Sequence, residues 1–323
     1  MWKILSSSLI GEQHITAHKP MQDRFAIAES EDRLILAVAD GHGGSYYCRS
    51  GEGAAFACDA AVEILKDKTV PWEQAPRRIK ELYDRKVEMH LQEAPLTARE
   101  LTLVNGQPDQ IAYGTTLICC AVTPEGIFRA QIGDGEIHAL TASGNFLEDL
   151  AEDFHCIGFF TTSLASHFAA EQFRWSFDPV PPAAVILYTD GYVSGRTRPR
   201  DLLELVKTFP EDGLIPRNVL EAGKRGDDQT VLVAIHADAV SAPAFLEGYA
   251  RTEAVWVLED QQAKLTAEIY IADKSIKSYI SKLAKCENIR IRNRLIKSLW
   301  DRQSRFLSLC EAYQALEEKK ENL

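Results

Sequence analysis

Long hydrophobic runs are missing from this sequence: the longest, near Ala183–Tyr188, is far too short to cross a bilayer. Met1 to Ala17 contains one early Lys3 but no unbroken apolar stretch followed by a small-residue cleavage site, so no secretory signal is expected there. The seven cysteines (Cys48, Cys58, Cys119, Cys120, Cys156, Cys286, Cys310) include no C-x-x-C pair, and an odd number in a chain of 323 residues does not read as a disulfide framework. A reducing compartment is the simpler reading, and a cytoplasmic protein without a membrane partner is expected. An excess of positive charge is lacking too. The net charge of -11 speaks against a nucleic-acid binder, because a phosphate backbone rewards a basic face.

What is present is the composition of a folded enzyme, 46% hydrophobic and 26% charged. The charge is unevenly spread: residues 245–323 hold 14 Lys and Arg against 12 Asp and Glu, and the rest of the chain 22 against 35. The larger part is thus strongly acidic and the tail slightly basic.

Runs rich in Val, Ile and Leu, bounded by Gly, Asp or Pro, predict buried strands at Arg33–Ala39, Thr115–Val122, Ile127–Ile132, Ala183–Tyr188 and Thr230–Ile235. Thr123-Pro124-Glu125-Gly126 predicts a hairpin turn, since proline fixes one dihedral and glycine permits positive φ. Helices are predicted at Gly51–Lys66, rich in alanine, and at Trp72–Leu91, with Ile79, Leu82, Val87 and Leu91 on one side. Strands and helices alternate without a regular strand-helix-strand beat, which predicts the α+β class.

From about Ala244 the texture changes. Lys264 to Lys320 contains no proline or glycine, and apolar residues recur at three- or four-residue steps from Leu265 to Leu283 and from Leu295 to Leu316. Two long helices folded as a hairpin, breaking near Glu287-Asn288, are predicted. The expected domains are therefore 1–240, carrying chemistry, and 245–323, a helical extension that covers its own chain or binds a partner or a second copy.

The chemistry lies in four aspartates at strand ends: Asp40 before Gly41-His42-Gly43-Gly44, Asp134 in Ile132-Gly133-Asp134-Gly135, Asp190 in Tyr188-Thr189-Asp190-Gly191, and Asp227 in Gly226-Asp227-Asp228-Gln229-Thr230. Any one Asp-Gly pair reads as a turn. Several together are costly to bury unless cations compensate their charge, and oxygen ligands without histidines or thiolates select hard ions such as Mg²⁺ or Mn²⁺.

With Gln22-Asp23 and Tyr113-Gly114-Thr115-Thr116, these segments resemble the motifs of the protein phosphatase 2C family, metal-dependent serine/threonine phosphatases, in the family's order over roughly residues 1–240. The resemblance implies a four-layer αββα sandwich, two antiparallel sheets flanked by helices, with a two-metal centre at the sheet ends. It implies that Asp40 bridges both ions, that the Gly41 carbonyl ligates the second, and that Asp190 and Asp227 complete the first. It further implies that Asp23 orients a metal-bound water, that Asp134 with Asp190 can hold a weaker third ion, and that His42 can protonate the leaving oxygen.

The sequence departs from the family pattern in places. His18-Lys19 stands where relatives commonly carry a phosphate-gripping arginine, and His18 is the candidate phosphate contact in its place; neither side chain offers the planar guanidinium fork. Gln22 replaces a frequent glutamate, Gly135-Glu136 a frequent Ser-Arg, and Ser194 a frequent acid. Ser143–Trp175 occupies the place of a substrate-facing flap, and Arg196, Arg198 and Arg200 could attract a phosphorylated segment. The implied partner is a phosphorylated protein, including a serine/threonine kinase or its target. The alternative is a metal-binding pseudophosphatase that signals through its helical tail, and a two-metal nuclease is a third reading that the acidic surface opposes.

Overall fold

Leu34–Ala39 and Leu117–Thr123 are buried at every position, and their side chains part cleanly to two faces. Leu34, Leu36, Val38, Ile118, Cys120 and Val122 point one way, into a core shared with Val185, Leu187, Leu232 and Ala234. Ile35, Ala37, Ala39, Leu117, Cys119 and Ala121 point the other way, against Ala54, Ala57, Ala61, Ile79 and Val87 from two helices. A strand covered on both faces has no position left for a polar residue, hence the continuous apolar runs. The computed structural model describes residues 1–151, 153, 161–192 and 226–322.

Two antiparallel sheets result. One has the order β1-β9-β8-β6: β1 (Trp2–Leu9), β6 (Glu136–Thr141), β8 (Pro182–Tyr188) and β9 (Gln229–His236). The other has the order β2-β3-β4-β5-β7: β2 (Arg24–Glu29), β3 (Leu34–Ala39), β4 (Leu117–Thr123), β5 (Gly126–Ile132) and β7 (Arg174–Asp178). The predicted turn joins β4 to β5, with Thr123 opposite Gly126. Short helices α1 (Glu12–Thr16), α4 (Ala98–Val104), α5 (Ala169–Gln172) and α6 (Ala237–Val240) join the longer α2 (Ser50–Lys66) and α3 (Ala75–Glu93), which cover the five-stranded sheet. Trp72–Gln74, predicted as the start of a helix, is instead a separate 3₁₀ turn, set apart by Pro71 and by Pro76 in the first turn of α3. The fold is the expected α+β sandwich.

The chain divides into two compact units, Met1–Leu246 and Glu247–Leu323. In the second, α7 (Pro243–Ala284) and α8 (Ile289–Glu321) run antiparallel, tied by Gln262 Nε2 to Glu317 Oε1 at 2.5 Å and Lys320 Nζ to Glu259 Oε1 at 2.7 Å. Arg302 lies 4.2 Å over the Tyr279 ring and donates to its hydroxyl at 3.1 Å. The break falls at the predicted Asn288, whose side chain caps α8 by accepting from the Arg290 and Ile291 N–H groups.

One buried ion pair fixes the helical layer. Arg49, only 8% exposed, stands just before α2. Its guanidinium donates to both Glu100 oxygens at 2.7 and 3.0 Å, to the Ala94 and Pro95 carbonyls, and to the Tyr113 hydroxyl. Glu100 also closes a capping box with Thr97 at the start of α4. Its carboxyl is held down at about 2, chiefly by the Arg49 hydrogen bonds. Removing one partner of such a pair leaves a half-buried charge without compensation, so Arg49→Ala should lower the free energy of unfolding by about 3 kcal/mol. Urea denaturation at neutral pH checks this, and a loss below about 0.5 kcal/mol would show the pair to be incidental.

Candidate metal centre

Both sheets send acidic residues to the same end. In the five-stranded sheet β2 begins just after Asp23 and β3 ends just before Asp40, and the pairing of Arg24 with Ala39 sets the two aspartates side by side. In the four-stranded sheet Asp190 follows β8 and Asp227 precedes β9, neighbours through the pairing of Tyr188 with Val231. Two carboxylates from each sheet therefore meet across the seam.

The backbone at Asp40 is clamped by a threonine pair. Its N–H donates to Thr116 Oγ1 at 3.0 Å, and its carbonyl accepts from the Thr116 N–H and the Thr115 hydroxyl, each at 2.8 Å. The next residue must be glycine, because a Cβ at Gly41 would sit 2.7 Å from the Ser50 carbonyl oxygen and 2.9 Å from that of Gln22. Gly191 is similarly constrained, with the Asp228 carbonyl 1.8 Å from where its Cβ would stand. The Asp-Gly pairs therefore mark places where strand ends pack tightly.

Electrostatics at this seam are dominated by crowding. Burial pushes the Asp40 carboxyl well above the usual range, and the charges of Asp23, Asp190 and Asp227 push it further. Asp40 also shares a side-chain hydrogen bond with Asp190. Asp23, 2% exposed, is raised from its ordinary 3.8 to about 7, first by burial and also by Asp228. Thr189 donates to its Oδ2 at 2.9 Å, while Oδ1 is buried without a well-formed hydrogen bond. Asp227 is raised by burial and then by Asp190. Among the described residues no three His, Cys, Asp or Glu side chains form a ready coordination sphere. The converging oxygens and the mutual repulsion nevertheless fit hard divalent cations, whose charge would offset both.

Asp228, adjacent to the expected ligand, has a different part that the sequence did not single out. Its side chain, 2% exposed, accepts from the Gly11 N–H at 2.8 Å and the Gln22 N–H at 2.6 Å. His14 Nδ1 also lies 2.9 Å from it, too poorly aligned for a hydrogen bond. It ties the segment after β1 and the segment before β2 to the start of β9. The doubled Asp227-Asp228 was the only signal, and it does not say which of two carboxylates turns inward.

His42 follows the clamp, with its N–H on the Gly114 carbonyl at 3.1 Å and its ring 4.7 Å from that of Tyr47. Its Nε2 is buried without a partner, and burial pushes its pKa down to about 4 despite the charge of Asp190. Gln22 donates to the Ser50 hydroxyl and the His42 carbonyl, so it braces this loop. His18 is exposed and adopts a left-handed backbone with φ of 51°. It is the neighbouring Lys19 whose ammonium reaches the loop, 3.0 Å from the Gly43 carbonyl.

Asp134 is exposed at the β5–β6 turn and lines a cavity of about 460 Å³ with Glu136, His138, Asp149, Asp153 and Arg174. Asp40, Asp190 and Asp227 do not line that cavity. There Glu136 accepts from the Tyr188 hydroxyl and pairs with His138 at 2.8 Å. The flap region is anchored by Leu164, whose N–H donates to the Thr115 carbonyl at 2.8 Å, and by Thr162, which accepts from the Gly133 N–H at 2.9 Å. Cys156, Gly158, Ser194, Arg196, Arg198 and Arg200 lie outside the described residues.

The profile of the family described as Protein phosphatase 2C matches residues 10–211. No curated protein matches the sequence at a significant level. Among solved structures, the fold is similar to that of PppA, a key regulatory component of T6SS in Pseudomonas aeruginosa, with a TM-score of 0.50, 20% identity, and coverage of 72% of this chain and 97% of that one. A bacterial serine phosphatase gives a TM-score of 0.49 and 15% identity over 73% of this chain and 98% of its own. RsbX in complex with magnesium gives 0.46 and 16% over 72% and 94%. With the family profile matching residues 10–211, more than half of the chain, the chain belongs to the protein phosphatase 2C family.

Proposed function

We propose that residues 1–240 form the catalytic domain of a metal-dependent phosphatase that removes phosphate from serine or threonine side chains of proteins. The observation that carries this reading is the meeting of Asp23, Asp40, Asp190 and Asp227 from both sheets at one seam. Asp40, Asp190, Asp227 and the Gly41 carbonyl would hold two divalent cations, while Asp134 faces a separate cavity. When bound, such ions supply a water acidic enough to attack phosphorus at neutral pH and offset phosphoryl charge.

The chain's own groups then divide the remaining work. Asp23, braced by Thr189, orients the attacking water by accepting its proton in a hydrogen bond. Lys19, held over the Gly43 carbonyl, directs an incoming phosphate, and His18 beside it is the second candidate phosphate contact. His42 is neutral at pH 7 in its buried setting. A phosphate dianion beside it would raise its pKa and so ready it to protonate the departing seryl oxygen. Mg²⁺ and Mn²⁺ both suit an all-oxygen ligand set.

Stability should report the carboxylate crowding before any activity is measured. Asp23 binds its proton more tightly folded, near 7, than unfolded, near 3.8. The folded state therefore holds more protons within that window, and stability of the metal-free protein must fall as pH rises through it. A thermal midpoint higher at about pH 6 than at about pH 8, with the deficit removed by Mn²⁺, is expected. A metal-free midpoint that rises over the same interval and ignores Mn²⁺ would remove the basis for the site.

Turnover tests the chemistry itself. With Mn²⁺ present, the protein should hydrolyse a phosphothreonine peptide, and Asp40→Asn should slow it by at least about 100-fold. Equal rates for the two proteins, or no turnover above the Asp40→Asn background with metal bound, would leave only a binding role. His42→Ala should slow the peptide by roughly 100-fold and an aryl phosphate far less, because a phenolate leaves without a proton. Similar losses on both substrates would assign His42 to the loop's structure instead.

A further inference from the structure

The helical hairpin concentrates charge at one end. Residues 274–302, which contain the connection between α7 and α8, carry nine Lys and Arg against only Glu287 and Asp301, in a chain whose net charge is -11. The same end exposes large apolar side chains: Ile280 at 48%, Ile289 at 74%, Ile291 at 52%, Ile296 at 37% and Trp300 at 67%. These are not the residues that bury the hairpin's own seam, which are Tyr279, Leu283, Leu295, Leu299 and their heptad successors.

The spacing sorts the two chemistries. Along α8, Ile289, Ile296 and Trp300 follow at steps of seven and four and so share one stripe, which Leu307, seven further on and 60% exposed, extends. Arg290, Arg294 and Lys297 form the adjacent line, at steps of four and three. From α7, Ile280 reaches the same level of the hairpin, since the neighbouring Tyr279 hydroxyl accepts from Arg302. Long aliphatic residues and a tryptophan, rimmed by basic side chains, are the pattern of a helix that lies in the interface of a lipid bilayer.

We propose that this basic, apolar end of the hairpin docks on a bilayer surface rich in anionic lipids. The charge of the patch favours that occupant over a second copy of the same patch, which would meet it with like charge. The isoleucines favour it over nucleic acid, because they stack on no base and gain nothing from phosphate. Acidic headgroups attract each Lys and Arg near the surface, while Trp300, Ile289 and Ile296 enter the boundary between headgroup and acyl chain. The contact is peripheral: among the described residues no helix is long and apolar enough to cross a membrane. It revises the expectation, drawn from the lack of long hydrophobic runs, that no membrane is involved, and it stands independently of the catalytic reading.

Sedimentation of the full-length protein with vesicles tests it. The protein should pellet with phosphatidylcholine vesicles containing phosphatidylglycerol, stay soluble with phosphatidylcholine alone, and be released by salt. The triple variant Arg290→Glu, Arg294→Glu, Lys297→Glu should lose at least about tenfold in binding with an unchanged circular dichroism spectrum and thermal midpoint, since all three side chains face solvent. Trp300→Ala should weaken binding several-fold while leaving the hairpin intact. Binding equal on both vesicle types, or a triple variant that binds as the wild type does, would overturn the proposal. So would a protein that ignores the anionic vesicles but forms a dimer abolished by Trp300→Ala, or that captures a single-stranded oligonucleotide or an acidic peptide instead.

Discussion

Carboxylates forced together where two sheets meet set the terms for the rest of the first unit. Asp40 cannot easily ionise beside Asp23, Asp190 and Asp227 at a largely buried sheet end. Among the described residues, no ammonium or guanidinium is a main influence on any of the three raised groups. Two remedies are open, shared protons or bound cations, and only the second makes the cost useful at neutral pH. The repulsion lies across the seam between sheets, so whatever neutralises it also joins them.

The surroundings are built to hold that arrangement. Thr115 and Thr116 grip the backbone of Asp40 from β4, while Thr189 grips Asp23 from the end of β8. Asp228 gathers the N–H groups of Gly11 and Gln22, binding the chain's early segments to β9. Each contact comes from a strand end different from the one it restrains. The acids are thus fixed by hydrogen bonds to backbone and hydroxyl groups.

How much of this the sequence disclosed follows from burial. The five predicted strands are those covered on both faces, where apolar residues run without interruption. The four that escaped, β1, β2, β6 and β7, are the four edge strands of the two sheets. Their half-buried positions carry residues such as Ser6, Ser8, Glu136, His138 and Ser176, which blur a strand into loop. The acidic positions were legible because glycine beside aspartate records close packing at Gly41 and Gly191. The inward turn of Asp228 depends on side-chain direction, and the reach of Lys19 rather than His18 toward Gly43 follows the left-handed backbone at His18; spacing encodes neither. In the tail, heptad steps revealed the buried seam, whereas the second stripe at Ile289, Ile296 and Trp300 emerges only once the seam has been assigned.

The two units obey opposite electrostatic logic: one crowds negative charge at a strand-end seam, the other displays positive charge outward beside apolar groups. The central claim concerns the first. Anomalous diffraction from crystals grown with Mn²⁺ tests it most directly: two peaks bounded by the carboxylates of Asp40, Asp190 and Asp227 are predicted. Crystals that show manganese elsewhere, with Asp40 and Asp190 still paired through a shared hydrogen bond, would contradict it.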